Sequence, residues 1–432
     1  MSLTKVSFSM IEGEVLNVLD YGADRTGVAD SSSAIQAAID ALDQTGFGGI
    51  VFLPWGDYKC NTGLSLPNLV RLVGEGMDSS NLRYEGNGSA ITLSGSVGDN
   101  IVKAGLKNLS VYGNNSSQYG INAQYSVDCF FENVRIYNHN IGFLLNWSYN
   151  NMLYFIKADN CRQDGFYFSD EANANTMVGC MGVENARAGL FMRGGRANEA
   201  VNCTWEANDQ YGIYLLGDTD AIYRPKSLLV SNCYIEGNGT VEVFCDKTGT
   251  DAPLGISIKD TYFCALTGKA TQAIRIENCE GFEIDGCTFD DQGVPYAYSL
   301  YVPAGGLVTN LTWGFNTDRS TGKVYSDLPI RNLTKSTAQA TAQFSGKSSV
   351  TINSSYNIVS IARNSAGNYT VTLQNAMPTI YFAVAANAED NSSGTPSLTC
   401  GIVPVSTSQF VLSVTNAAGT PTDGRNVNVI VF

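Results

Sequence analysis

Three glutamates recur in one short pattern of this sequence. Val183-Glu184-Asn185, Trp205-Glu206-Ala207-Asn208 and Ile235-Glu236-Gly237-Asn238 each give an apolar residue, an acid and an asparagine. A turn and an apolar alternation follow: Gly189-Leu190-Phe191-Met192, Gly212-Ile213-Tyr214-Leu215 and Val241-Glu242-Val243-Phe244. Side chains alternate sides along a strand, so with Val183, Trp205 and Ile235 turned inward, Glu184, Glu206 and Glu236 turn outward. Asp159 holds the same place one repeat earlier. The expectation is a column of carboxylates on one outer face, about one per repeat.

Such a column can do acid–base chemistry. Like charges raise each other's pKa, so one carboxyl stays protonated while a neighbour ionises. That is the requirement for glycoside hydrolysis by two carboxylates. Adjacent repeats lie ~4.8 Å apart, close to the ~5–5.5 Å of retaining pairs, and alternate repeats ~9.6 Å apart, at the edge of the inverting range. Both outcomes stay open. Glu206 is the favoured acid, paired with Glu184 or Glu236, with Asp209 and Asp218 in reserve. Lys157, Arg162, Arg187, Arg193 and Arg196 lie nearby in sequence, with Trp147, Tyr149, Tyr211 and Tyr214. Arginine binds carboxylates bidentately and aromatic faces stack on sugar rings, so these residues, with Asp159, are the candidate substrate-binding set for an acidic polysaccharide. The competing account is that outward acids merely keep a repeat protein soluble. Glu277 repeats the pattern with no evident partners.

The elements that must hold these residues follow from the repeat. Ile136-Tyr137-Asn138 leads to Gly142, Ala158-Asp159-Asn160 to Gly165, and Ile276-Glu277-Asn278 is a later fragment. The glycines fall about 23 residues apart, a period that means stacked architecture. Mixed Val, Ile, Phe, Tyr and Cys in short runs, with Asn and Gly between them, read as strands and turns rather than leucine-rich repeats. Each repeat is then one coil of a parallel β-helix. Asparagine tolerates the turns, and stacked amides can hydrogen-bond along the column.

Composition narrows the classes. The chain has 432 residues and a net charge of -14, which argues against nucleic acid as partner. No apolar run is long enough for a membrane span, and no signal-peptide pattern is present. Of the eleven cysteines, Cys161, Cys180, Cys203, Cys233, Cys279 and Cys287 recur about once per coil beside Asn or Gly. They read as reduced, buried thiols. There is no CxxC pair and one histidine, His139, so neither zinc nor a Ser-His-Asp triad is expected, and no cofactor.

Near the N-terminus, Ser31, Ser32 and Ser33 can cap the segment Ala34 to Leu42, which puts Ile35, Ala38, Ile39 and Leu42 on one helical face. This amphipathic helix, near 31–44, would close the open end of the solenoid. Asp24 and Asp30 around Gly27 read as a capped turn rather than a cation loop.

Val18-Leu19-Asp20-Tyr21-Gly22-Ala23-Asp24, Ala34-Ile35-Gln36-Ala37-Ala38-Ile39 and Gly48-Gly49-Ile50-Val51-Phe52-Leu53-Pro54-Trp55-Gly56-Asp57-Tyr58 resemble the opening of the pectate-lyase-like right-handed β-helix superfamily. More narrowly, they resemble its bacteriophage tailspike branch, with the repeats extending the likeness to about residue 315. The resemblance implies a homotrimer in the virion tail, made in the host cytoplasm, attached to another tail protein and acting at the bacterial cell surface on capsule or O-antigen polysaccharide. It implies an inverting hydrolase, and a partner acid that can come from a second chain. The superfamily also contains lyases, and adhesins without catalysis remain open.

The expected map is a lead over 1–16, the β-helix with its capping helix over 17–316, a linker or neck over 317–346, and a β-sandwich over 347–432, whose resemblance to the small C-terminal β-domains of phage tail fibres and spikes implies trimerisation or glycan binding. Strands are expected at Asn357–Ala362, Tyr369–Leu373, Ile380–Ala385, Phe410–Val414 and Val427–Phe432.

Overall fold

The computed structural model describes residues 15–219, 223–290, 292, 294–303, 305–314, 316–318, 324–326, 340–346, 349–377, 382–389 and 398–431. Most of the lead and residues 327–339 of the expected linker lie outside them. Two compact units form: one within Met1–Val308 and Phe315–Ser326, the other within Thr309–Gly314 and Asp327–Phe432.

The first unit is a right-handed parallel β-helix. A coil contributes three short strands. Thr176–Val178, Met181–Val183 and Ala188–Gly194 make one coil, and Glu199–Val201, Thr204–Glu206 and Tyr211–Gly217 the next. Leu229–Ser231, Tyr234–Glu236 and Val241–Lys247 follow. Equivalent strands pair in parallel from coil to coil, giving three outer faces, called here first, second and third in chain order.

Each corner is made by a residue with left-handed backbone. Asn202 and Asn232 (φ 55° and 53°) turn the first face into the second, Asn160 and Ala207 (57° and 54°) the second into the third, and Ala174 and Ala197 (54° and 53°) the third into the next coil. Asparagine and glycine enter this region at low steric cost, which is why they punctuate the repeat.

The interior is apolar with buried columns of polar side chains. Trp205 is fully buried and meets Phe166 edge-on, with centroids 5.8 Å apart. Asn185, Asn208 and Asn238 stack as an amide ladder: Asn185 Nδ2 donates to Asn208 Oδ1 at 2.9 Å and Asn208 Nδ2 to Asn238 Oδ1 at 2.8 Å. Asn151, Asn175 and Asn198 build a second ladder. Cys180, Cys203 and Cys233 follow one another at the first corner, and the Cys203 backbone N–H points at Cys233 Sγ, 3.3 Å away. All eleven cysteines are free and ten are buried, as their repeat positions imply.

The helix Ser32–Asp43 buries Ile35, Ala38, Ile39 and Leu42 against the first coil. Its start differs from expectation. Ser31 makes no side-chain cap; Asp30 Oδ1 accepts from the Ser32 N–H and hydroxyl instead. Ser31 Oγ is engaged with the backbone of Asp24. Asp24 itself accepts from Thr26, Val28 and Ala29, a closed turn that holds its carboxyl down at about 2.

In the second unit, Thr351–Tyr356, Ala340–Ser345, Val427–Val431 and Val384–Ala388 form one antiparallel sheet. Ile358–Ser365, Asn368–Leu373, Gln409–Thr415 and Thr399–Ser406 form the other. Their inner residues, among them Phe344, Tyr369, Phe410 and Val429, share one core. Ala340–Ser345, inside the stretch read as linker, is a strand: Ala340, Ala342 and Phe344 alternate inward, but two alanines are a faint period-two signal. Of the strand expected at Ile380–Ala385, residues 380 and 381 lie outside the description, and Val384–Ala388 is a strand.

Candidate active site

The second face carries a column of outward residues fixed by register. Asp159 pairs with Val183, Val183 with Glu206, Glu206 with Glu236, Glu236 with Cys264, and Cys264 with Asp290. The inward partners are Ala158, Gly182, Trp205, Ile235, Phe263 and Phe289. Glu206 and Glu236 therefore oppose each other directly on adjacent coils.

Glu184 does not belong to this column. Its coil turns Gly182 inward and Val183 outward, because a Cβ on Gly182 would meet the Gly189 backbone at 2.7–2.9 Å. Glu184 falls one residue later, on the second corner with φ 55°, exposed, where its Oε2 accepts from Asn160 Nδ2 at 2.9 Å.

The four carboxylates of the column differ in surroundings. Asp159 is buried and engaged: Arg135 binds it through Nε at 3.1 Å and Nη2 at 2.7 Å, and Lys157 Nζ lies 3.4 Å away. Glu206 is half-buried, and burial, followed by the charges of Glu236 and Glu184, pushes its carboxyl above the usual range against the pull of Lys157. Glu236 Oε2 accepts from the Tyr234 hydroxyl at 2.6 Å. One coil on, the Tyr262 hydroxyl donates to Asp290 Oδ2 at 2.6 Å. The two tyrosine rings stack, 5.6 Å apart and 7° from parallel. Donation to Asp290, then burial, pushes the Tyr262 hydroxyl up to about 12. Tyr234, Tyr262, Asp290 and Arg135 were missing from the residues chosen by sequence. Tyr234-Ile235-Glu236 and Thr288-Phe289-Asp290 do repeat an outward–inward–outward triplet that marks them.

The other chosen residues lie elsewhere. Arg162 is turned onto the backbone: Nη1 donates to the carbonyls of Asn114 (2.7 Å) and Asn138 (3.3 Å), and Nη2 to that of Ser117. It straps the 114–117 turn and the Asn138 corner to its own coil, with Nη1 fully spent on backbone. Asp209 is exposed beyond the second corner, three residues past Glu206. Arg187, Arg193, Tyr211, Tyr214 and Asp218 are on or beside the third face. Arg187 pairs with buried Asp164, Arg193 with Asp218, and Arg196 with Glu171. Trp147 stacks on Tyr125 at the third corner, with centroids 6.0 Å apart.

The third-face aromatics also stack on one another. Tyr167, Phe191, Tyr214 and Phe244 follow coil by coil with centroids 4.8, 5.1 and 5.3 Å apart. The Arg187 guanidinium covers Phe191 at 4.0 Å. Faces used this way are closed to sugar rings, so the ladder stiffens the face rather than offering a stacking platform. Among the described residues, no group of three or more His, Cys, Asp or Glu could hold a metal ion.

This geometry has known counterparts. The family model described as rhamnogalacturonase A/epimerase, pectate lyase-like, matches residues 15–105, and that of the right-handed β-helix region matches 74–224. The fold is the right-handed parallel β-helix. Mannuronan C5-epimerase AlgE2 of Azotobacter vinelandii is 34% identical over 114 residues, 24% of this chain and 11% of the epimerase. The tail spike protein of Shigella phage Sf6 is 27% identical over 179 residues, 39% of this chain and 28% of that protein. The chain thus spans well under half of either relative. A tailspike of Escherichia coli phage HK620, solved with a bound hexasaccharide, superposes with a TM-score of 0.56 at 14% identity, covering 98% of this chain and 94% of that one.

Proposed function

We propose that the chain is a bacteriophage tailspike that binds a bacterial surface polysaccharide, capsule or O-antigen, and depolymerises it by glycoside hydrolysis. One observation carries this reading: Glu206 and Glu236 oppose each other on an outer face, the first with its carboxyl pushed up by burial and like charge. Glu206 is the general acid, giving its proton to the glycosidic oxygen as the bond to the leaving sugar breaks. Glu236, oriented by the Tyr234 hydroxyl, acts at the anomeric carbon. Their strands lie ~4.8 Å apart, near the retaining separation; on this reading Glu236 is the nucleophile, and water then cleaves the glycosyl–Glu236 ester while ionised Glu206 takes the water's proton. Glu236 with Asp290, two coils apart, is the inverting alternative. The anomer first released, read by NMR, separates them.

The test is size-exclusion chromatography of host polysaccharide before and after incubation, with Glu206→Gln alongside. Shortening by the wild type and not by the variant supports the reading. Shortening by both moves the chemistry off Glu206. Binding without shortening across a broad panel leaves an adhesin. The tailspike reading also brings a homotrimer, a place in the virion tail through another tail protein, and a C-terminal sandwich for trimerisation or glycan binding. Light scattering tests the trimer.

A second reading, β-elimination on a uronate polymer, is favoured by the relative named for C5 epimerisation of mannuronan. Both reactions begin by removing the C5 proton. An unsaturated, ultraviolet-absorbing product would replace hydrolysis with elimination.

A further inference from the structure

Glu242 stands where earlier coils have glycine. Gly165, Gly189 and Gly212 occupy the same place on successive third-face strands, and Glu242 lies opposite Gly212. In those coils the ladder amide fills the space: a Cβ on Gly189 would come within 3.0 Å of Asn208 Nδ2, and one on Gly212 within 2.8 Å of Asn238 Nδ2. After Asn238 the ladder has no further amide, because the next coil reads Cys264-Ala265-Leu266 where this one reads Glu236-Gly237-Asn238. A carboxyl from another strand fills the gap.

The Glu242 side chain is wholly buried. Its Oε2 accepts from the Asn238 backbone N–H at 3.3 Å and from Asn238 Nδ2, and the Tyr296 hydroxyl donates to Oε1 at 3.2 Å. Asn238 Nδ2 also reaches the carbonyls of Trp205 at 3.0 Å and Glu236 at 3.3 Å. One amide thus links the Glu242 carboxyl to the ends of both strands that carry the reacting pair.

We propose that Glu242 is a positioning residue for Glu206 and Glu236: it ends the amide ladder in place of a missing asparagine and fixes the two strand ends from inside. The proposal rests on the hydrolase reading above. The groups that face Glu242 are Asn238 and Tyr296, with the Glu236 charge near it and the Cys264 thiol within its electrostatic reach. Burial pushes Glu242 up to about 8, so it works as a neutral carboxyl at neutral pH. Ionisation above that puts a further negative charge behind Glu236.

The test measures kcat and KM for wild type, Glu242→Ala and Glu242→Gln on both sides of pH 8. Glu242→Ala is expected to lower kcat at least about tenfold with KM within about twofold. Glu242→Gln, which keeps an acceptor without a charge, should recover kcat to within about threefold and lose the alkaline fall. An unchanged kcat in Glu242→Ala, or a Gln variant as impaired as Ala at neutral pH, overturns the proposal. A second readout needs no substrate: the Glu206 carboxyl titration, followed by carbon NMR, should move by at least about 0.5 pH unit in Glu242→Ala. Glu242→Asp serves if the alanine variant does not fold, and an unmoved titration overturns the proposal. A wild type that cuts no polysaccharide refutes the hydrolase reading alone, and the titration still decides the role of Glu242.

Discussion

Asn208→Ala removes the middle rung of the amide ladder, and its cost can be worked bond by bond. Asn208 is fully buried. Its Oδ1 accepts from the Asn185 N–H at 3.0 Å and from Asn185 Nδ2 at 2.9 Å. Its Nδ2 donates to the Gly182 carbonyl at 3.0 Å and to Asn238 Oδ1 at 2.8 Å. Two of these partners keep a second bond: Asn185 Nδ2 reaches the Ala158 carbonyl at 3.2 Å, and Asn238 Oδ1 still accepts from the Asn208 backbone at 3.0 Å. The Asn185 N–H loses this acceptor in a dry interior. Four net hydrogen bonds at about 1 kcal/mol each, plus about 1–3 kcal/mol for the stranded donor, give a loss of roughly 5–7 kcal/mol, less whatever an entering water recovers. Native-state hydrogen exchange is the assay, because two compact units need not unfold together. Exchange of the Asn185 and Cys161 amides should accelerate by several orders of magnitude, while the Asn175 and Asn151 amides of the other ladder change less. A loss below about 1 kcal/mol at Asn185 would refute the claim that the ladder stabilises the coil.

Glu206→Gln and Glu236→Gln should each lower the polysaccharide-shortening rate by roughly 10²–10⁴-fold, read by size-exclusion chromatography, with folding unchanged by circular dichroism. Glu184→Asn should raise unfolding stability by up to about 1 kcal/mol, because asparagine fits the φ of 55° at lower cost, and should shift the alkaline limb of activity to lower pH by removing a charge that raises Glu206, the general acid. Two buried groups shape stability against pH in opposite senses. Burial holds His139 down at about 4 from 6.5, so the unfolded chain binds the extra proton and stability falls as pH drops through that window, by roughly 3 kcal/mol in all. Glu242, held up at about 8 from 4.5, contributes stability that is full below 4.5 and lost as pH rises through 8, roughly 5 kcal/mol. Their joint contribution is level between 4.5 and 6.5 and falls on either side; His139→Phe should flatten the acid slope and Glu242→Gln the alkaline one in urea titrations. A thiol reagent added to native protein should label Cys400 alone, and all eleven cysteines after denaturation.

The solenoid was legible in the sequence because each coil repeats the same local demand. A residue must take left-handed backbone at each corner, and an amide or thiol must sit just beyond it. Both leave Asn, Gly and Cys at fixed intervals. Orientation was less legible. Reading the apolar residue as the inward one works for Trp205 and Ile235 and fails for Val183, where backbone crowding requires glycine inside and displaces Glu184 onto a corner. Sequence proximity also misled. Tyr214 lies eight residues from Glu206, but a corner stands between them and puts the two on different faces. The reach of Arg162 to the carbonyls of Asn114 and Ser117 spans two coils and leaves no local trace. Glu242 looked like one more alternating residue because its role depends on an asparagine absent one coil later.

The ladder also makes the length of the molecule a countable quantity. Asn185 and Asn208 are the same residue in the same place one coil apart, each donating Nδ2 to a carbonyl one coil back and to the amide ahead. Excision of residues 185–207 would set Asn208 directly over Cys161, whose N–H already donates to an asparagine Oδ1. The column would re-form one rung shorter and every corner would stay in phase. Removal of any fraction of that stretch would put strand residues at corners and charges inside. Change in such a chain is therefore quantised: whole coils can be lost or gained at the expense of a single rung, and the second face grows or shrinks in steps of one strand spacing, ~4.8 Å.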